Sequence, residues 1–442
     1  MNDVTFLTSN TSQQPLGVVS RTQDFDTLAQ RVANLEAWLE TMRQAGGYGG
    51  PVAHWWQNRF RYTGPGLDWR YEGILIGYKT LFQKTQNPHW KAQLNRAAND
   101  LIAGQNEDGS YRASRFEINP GHLGTPHEAA ASFGLLSALP YINDKARALE
   151  TAKRNIDNLI TLLWDGKSFN DRPKVSGRVP NKLATLAQAL LTLAAVTKDF
   201  GYHTYAKAAL EDVLRYQVKT GASAGAIHQY APGAGKGDGR FFPYYAARCV
   251  PPLVQAYETF GDERYLKAAR LTLEFLKTSM AKDGSWPQII YDNTKQASWP
   301  RWLAGAADIL LAYQVLGEPI PNVALERILA SQLKSGGFPT AHGFGSQINQ
   351  REPKGVPDYR DVTPVAGWND KMFRLLTGML SDKNLPEATV SEVMQEMTVW
   401  GQRAMFEETD QLFRMTVKKN VIYEWHKASP WAVVNHAGLD VR

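Results

Sequence analysis

Six short stretches of this chain set carboxylates, bases and large aromatic rings at the start of otherwise apolar segments. They are LDWRYEG (67–73), PHEAAAS (126–132), PNKLAT (180–185), PYYAARC (243–249), SWPRWLAG (298–305) and GWNDKMFR (367–374). Carboxylates supply general acids and bases, histidine supplies a base near neutral pH, and Arg or Lys grips an anion. Tryptophan and tyrosine faces suit sugar rings and isoprenoid chains equally. The catalytic candidates are therefore Glu72, His127, Glu128, Tyr245 and Asp370. Trp69, Arg70, Asn181, Lys182, Arg248, Trp299, Arg301, Trp368 and Lys371 are the substrate-binding candidates. Trp69 and Glu72 share a helix face by their spacing, and burial beside the indole would raise the Glu72 carboxyl toward an acid's role. Plainer readings stand beside these. Asp68 and Glu128 suit a helix dipole, Arg70 suits a bridge to Asp68 or Glu72, and Tyr244 and Trp302 suit packing.

Such residues need elements to position them, and the chain repeats. Glycine turns followed by a bulky apolar residue recur at GGYGG (46–50), DGSY (108–111), DGKSF (165–169), GASAGAI (221–227), DGSW (283–286) and SGGF (335–338). Their spacing is about 50–65 residues, the length of two helices with connections. Between them the periodicity is helical, as in Leu28, Val32, Leu35, Leu39 and Met42. NKLATLAQALLTLAAV and RWLAGAADILLAYQVL are apolar nearly all round and predict inner helices. KARALETAKRNIDNLITLL and DERYLKAARLTLEFLKTS keep a polar stripe and predict outer ones.

The pattern predicts inner helices at roughly 68–84, 127–139, 181–197, 243–259, 299–315 and 366–380. Six hairpins bury their faces without an open end in a closed ring, an all-α (α/α)6 toroid. An open solenoid would need polar capping repeats, which the sequence lacks. The expected organisation is a lead-in at 1–25, the toroid at 26–405 and a C-terminal extension at 406–442. In that extension FRMTVKKNVIYEW (413–425) reads as a hairpin or one more helix. In a toroid all six inner amino ends face one mouth, so the costly residues converge there. The helix dipoles add partial positive charge, which predicts an anionic ligand.

LDWRYEGILIGYKTLFQKTQNPHWKAQ resembles the inner-outer hairpin of six-hairpin glycosidases such as the unsaturated uronyl hydrolases, and SWPRWLAGAADILLAY resembles a later inner helix of that group. The QNEDGSY, DGSW and SQLKSGGF turns also resemble the glutamine-tryptophan repeats of terpenoid cyclases and protein prenyltransferases. The DxDD, DDxxD and Asp-x-Cys zinc motifs of those enzymes are missing. The resemblance implies a carbohydrate-active enzyme, a hydrolase or lyase cleaving an acidic, uronate-containing oligosaccharide. Hydrolysis would draw on Glu72, Glu128 and Asp370, with Arg248 and Arg301 holding a carboxylate. Elimination would use Arg248 and Asn181 to neutralise the uronate while His127 or Tyr245 takes the proton. An isoprenoid diphosphate cyclase or transferase, and a noncatalytic glycan-binding ring, are the alternatives.

Composition excludes other classes. The 442 residues are 43% hydrophobic and 21% charged, as in a soluble globular protein. There is no apolar run long enough for a membrane span, and the first residues lack a signal peptide's basic and apolar regions. Cys249 is the lone cysteine, which rules out an intrachain disulfide and makes the cytoplasm the expected compartment. The net charge of +6 is dispersed, with no block of five Lys or Arg, so a nucleic-acid partner is not expected. Nine His residues show no HExxH or other metal spacing, and neither metal nor cofactor is expected. GAGKGDG (233–239) lacks the ending of a phosphate loop and reads as a flap bearing Lys236 and Arg240. The stretch 338–364 reads as a second lid.

Overall fold

A computed structural model describes residues 27–54, 59–112, 124–230, 239–291, 299–344, 355–381 and 383–434. Helix α1 (Leu28–Thr41) leads into an antiparallel sheet of β1 (Arg43–Gln44), β2 (Gly47–His54) and β3 (Arg59–Gly66). Inner and outer helices then alternate. Inner α2 (Arg70–Thr85) precedes outer α3 (Pro88–Ala103), and inner α4 (Ala129–Ala138) precedes outer α5 (Lys145–Leu163). Inner α6 (Pro180–Thr197) and outer α7 (Tyr202–Arg215) form the third pair. After β4 (Arg240–Phe241) come inner α8 (Pro243–Arg248) and α9 (Val250–Phe260), with outer α10 (Glu263–Ser279). Strands β5 (Ile290–Tyr291) and β6 (Arg301–Trp302) precede inner α11 (Ala307–Val315) and outer α12 (Asn322–Ala330). Strand β7 (Ala341–His342) and α13 (Tyr359–Val362) lead to the last inner helix, α14 (Ala366–Met379). Helix α14 packs on α2 and on α1, so the first helix completes the last hairpin and the ring closes.

Side-chain size explains how tightly the inner helices pack. A Cβ on Gly73 would lie 2.1 Å from the Asp370 carbonyl oxygen, and one on Gly77 would lie 2.3 Å from the Phe373 ring. The two helices therefore touch along a glycine seam. The repeated turns have one physical logic. Gly225 and Gly336 hold φ of 92° and 97°, and a Cβ on either would lie 2.0 or 2.1 Å from a carbonyl of the next outer helix. The apolar residue that follows plugs the gap between hairpins: Tyr111, Phe169, Ile227, Trp286 and Phe338 are all buried.

Three features depart from the expectation. The fourth inner helix breaks at Cys249, because Pro251 and Pro252 have no N–H to continue the ladder. The fifth begins late: residues 301–302 form a strand and helical turns start only at Ala304. Finally, strands are commoner than the sequence suggested. Strands β2 and β3 pair as an antiparallel ladder, and 393–434 hold a five-stranded antiparallel sheet of β8 (Val393–Val399), β9 (Gln402–Glu408), β10 (Leu412–Val417), β11 (Asn420–His426) and β12 (Val433–Val434). The 413–425 stretch is thus two neighbouring strands of a larger sheet that begins before residue 406. A buried carboxylate fastens it to the ring: Glu408 accepts from Trp38 Nε1 at 2.8 Å, Ser335 Oγ at 2.7 Å and Lys427 Nζ at 3.2 Å.

Candidate active site

The inner segments bring their amino ends together around one guanidinium. Arg248 donates from Nη1 and Nη2 to the two oxygens of Glu72 at 3.0 and 2.7 Å. The same group lies 3.4 Å from Asp308 Oδ2 and 3.4 Å from Thr185 Oγ1, so α8 is tied to α2, α11 and α6 at once. Arg374 of α14 donates to Glu72 as well. Burial alone would raise the Glu72 carboxyl, but Arg248 and Arg374 outweigh it and hold it well below the usual range. The expected acid is instead a permanent anion with both oxygens engaged.

Asp370 behaves in the opposite way. It is fully buried, and its Oδ2 accepts from Lys371 Nζ at 2.6 Å and from the Gly73 N–H at 3.2 Å. Its Oδ1 has no hydrogen-bond partner. Burial raises its pKa to about 7, with Lys371 offsetting only part of the effect. Lys371 also donates to the Trp69 carbonyl at 3.3 Å. His127 stacks on Trp69, with ring centroids 5.0 Å apart and planes 10° apart. Burial, and then the charges of Arg248, Lys371 and Lys182, push its pKa well below 6.5. His127 is therefore a neutral imidazole at pH 7.

Aromatic rings wall this centre. Tyr244 lies 5.2 Å from Trp302 and 5.0 Å from Trp368, and those two indoles lie 5.4 Å apart. Trp69 and Trp368 both pack on Val52 and Val365, so the β2–β3 ladder forms part of the rim. Tyr245 is half-buried beside Tyr244 at 5.3 Å. Asn181, at the start of α6, is buried with an unpartnered Oδ1.

Other expected site residues lie elsewhere. Glu128 turns toward the outer layer, accepting from the Tyr111 N–H at 3.0 Å and Asn155 Nδ2 at 2.8 Å. Arg70 pins the start of α2, donating to Asp68 at 2.8 and 3.0 Å and to the Tyr48 carbonyl at 2.5 Å. Lys182 pairs with Asp171 at 2.7 Å. Arg301 and Trp299 precede the delayed fifth helix, and Arg301 lies on the strand face opposite Trp302. Lys236 and residues 345–354 fall outside the described residues, while Arg240 is exposed at the edge of a two-stranded ladder.

Three residues at the centre were not singled out from the sequence: Asp308, Thr185 and Arg374. Asp308 carried a signal, as the one charge in the apolar run AGAADILLAYQVL. Among the described residues no group of three or more His, Cys, Asp or Glu could hold a metal, and no helix is long and apolar enough to cross a membrane.

No protein-family model and no curated protein sequence matches the chain. Solved structures do. It is similar to a D-mannose isomerase, with a TM-score of 0.59 and 14% identity over 81% of this chain and 99% of that one. A sugar epimerase from a ruminal bacterium gives a TM-score of 0.60 and 15% identity over 80% and 98%. An unsaturated glucuronyl hydrolase specific for heparin gives 0.56 and 11% over 79% and 95%. With the six closed hairpins described above, these likenesses make the chain a six-hairpin (α/α)6 toroid.

Proposed function

We propose that this chain is a carbohydrate-active enzyme that works on an acidic sugar by proton transfer at carbon, with His127 as the base and Asp370 as the acid. The observation that carries the reading is His127 stacked on Trp69, where burial and the charges of Arg248 and Lys371 hold its pKa below the usual range. Two-carboxylate hydrolysis fits less well, because Glu72 is saturated by two guanidinium groups and Asp308 faces Arg248. In an elimination the imidazole takes the proton next to the uronate carboxylate, the bond from the neighbouring carbon to the glycosidic oxygen breaks, and its electrons leave with the oxygen. The C–H electron pair forms the new double bond, and protonated Asp370 gives its proton to the leaving oxygen. Arg248 Nε and Asn181 Oδ1, both buried without a partner, are positioned to meet the substrate's polar groups. Glu72 acts through Arg248 as a positioning residue.

The likeness to a mannose isomerase and a sugar epimerase favours a second reading, in which the same pair moves a proton beside a sugar carbonyl. One assay series tests both. Uronate oligosaccharides and free aldoses are incubated in deuterated buffer while absorbance near 235 nm, roughly the window of an unsaturated uronate, is followed. Elimination gives rising absorbance, whereas isomerisation or epimerisation gives deuterium at carbon without it. Replacing His127 by Gln should lower kcat about 10²- to 10⁴-fold in either case with little change in Tm. Turnover that proceeds without deuterium uptake or new absorbance, or that survives this substitution, would remove the proposal.

A further inference from the structure

Three extended segments lie side by side ahead of α11. Trp302 N–H donates to the Trp286 carbonyl at 3.1 Å, Gln288 N–H to the Pro300 carbonyl at 3.2 Å, and Leu303 N–H to the Thr340 carbonyl at 3.0 Å. Side chains alternate between the two faces of such strands. Trp302 touches Tyr244 and Trp368 on the funnel side, so Arg301 faces away from the funnel. His342 pairs with Arg301 across the ladder and shares its face, as does Thr340 two residues earlier. The Arg301 guanidinium lies 5.3 Å above the Trp299 ring, and His342 meets that ring edge-on at 5.6 Å.

Among the described residues this face offers Arg301 Nε and Nη1 no acceptor. Arg301 Nε and Nη1 are buried without a hydrogen-bond partner, and so is Thr340 Oγ1. The nearby carboxylate is already committed: Asp283 bonds Arg327 at 2.9 Å and takes Ser285 N–H and Oγ at 3.1 and 2.6 Å. Asp283 still attracts Arg301 across space, and Arg327 adds a smaller repulsion from a second positive charge. Empty guanidinium N–H groups held out of water are costly, and an arriving oxyanion would give one of them a charge-assisted partner. A tryptophan face beside the cation suits a sugar ring.

We infer that this outward face, built from Arg301, Trp299, Thr340 and His342, is a second binding subsite for an acidic sugar residue lying outside the funnel, its carboxylate or sulfate held by Arg301. As a substrate subsite it rests on the proposed function. As an anion-binding site it stands alone.

Calorimetry with an acidic uronate tetrasaccharide, its carboxyl-reduced counterpart, a sulfated tetrasaccharide and inorganic sulfate tests it. Arg301→Gln should weaken binding of the anionic oligosaccharides roughly ten- to hundredfold. The same substitution should change the reduced one by no more than about twofold. Arg301→Lys should restore only part of the loss, because an ammonium lacks the guanidinium's fixed donors. A larger loss for the uronate than for the sulfated chain, or the reverse, identifies which group is held. Equal weakening of acidic and reduced ligands, no weakening, or a wild type that binds none of these anions would overturn the inference. Arg301-dependent binding without any turnover would leave this subsite standing and remove the proposed function.

Discussion

The seam between α2 and α14 and the segment 299–308 both carry charged residues near the amino ends of inner helices, yet they treat them differently. In the seam every charge has a partner: Glu72 holds two guanidinium groups, and Lys371 bonds Asp370 and a carbonyl. In the 299–308 segment Asp308 meets Arg248, while Arg301 on the preceding strand keeps two buried N–H groups unmet. The contrast separates Glu72 and its guanidinium partners, which hold the scaffold, from Arg301, which awaits a ligand. A buried ion pair has already given up its hydration and gains nothing from a sugar, whereas an unmet donor gains a bond only when one binds.

The largest effect that sharpens this contrast is on stability. Glu72→Gln removes the buried counter-charge that Arg248 and Arg374 share, leaving Arg248 only Asp308, and should cost about 3–5 kcal/mol, while Arg301→Gln should stay within about 0.5 kcal/mol. Urea unfolding of the two variants reads the difference, and equal losses would erase the distinction. Next comes packing. Gly73→Ala forces a methyl group against the Asp370 carbonyl, and the helices must part, at a cost of about 1–3 kcal/mol. A Tm equal to the wild type's would show that the seam yields.

A further difference lies in pH dependence, where the signs are opposite within one site. The folded pKa of Asp370 is raised from 3.8 to about 7, so the native state holds its proton more tightly and stability falls as pH rises through that interval. Glu36, buried between Glu40 and Tyr78 and raised to about 7, adds a loss of the same sign. Glu72 is depressed, so its contribution is complete above its ordinary 4.5 and disappears as pH falls further. Wild type compared with Asp370→Asn from pH 4 to 8 should therefore lose ground steadily as pH rises. A flat difference would mean that Asp370 stays ionised and cannot act as the acid.

The ring was legible because helical periodicity and glycine turns recur, and both report local physics. The inner helices at 70–85, 180–197 and 366–379 start within two residues of expectation. The fifth did not, because SWPRWLAG looks like a proline-led helix start while its backbone pairs as strand with 341–342. That offset gave Arg301 the place that Asp308 occupies. The sheet was read only in part. Strands β8 and β9 alternate faithfully inside, but Met394 and Met405 stand exposed on the outer face and blur the pattern. The β2–β3 ladder, rich in Gly and Pro, carries almost no strand preference of its own. It is held by contacts distant in sequence, including Phe60 on Phe413 and Tyr423, and Tyr62 on Trp425. The charge pairing of Glu72 was out of reach, since its partners lie 176 and 302 positions away.

That α1 leans on α14, and that Trp38 reaches a carboxylate 370 positions downstream, has a consequence for biosynthesis. Helix α1 must wait for the strand that carries Glu408, 370 positions downstream of Trp38, before its apolar side is covered. Contacts of such long range make assembly slow, and the exposed flank is a natural client for chaperones until the final strands arrive.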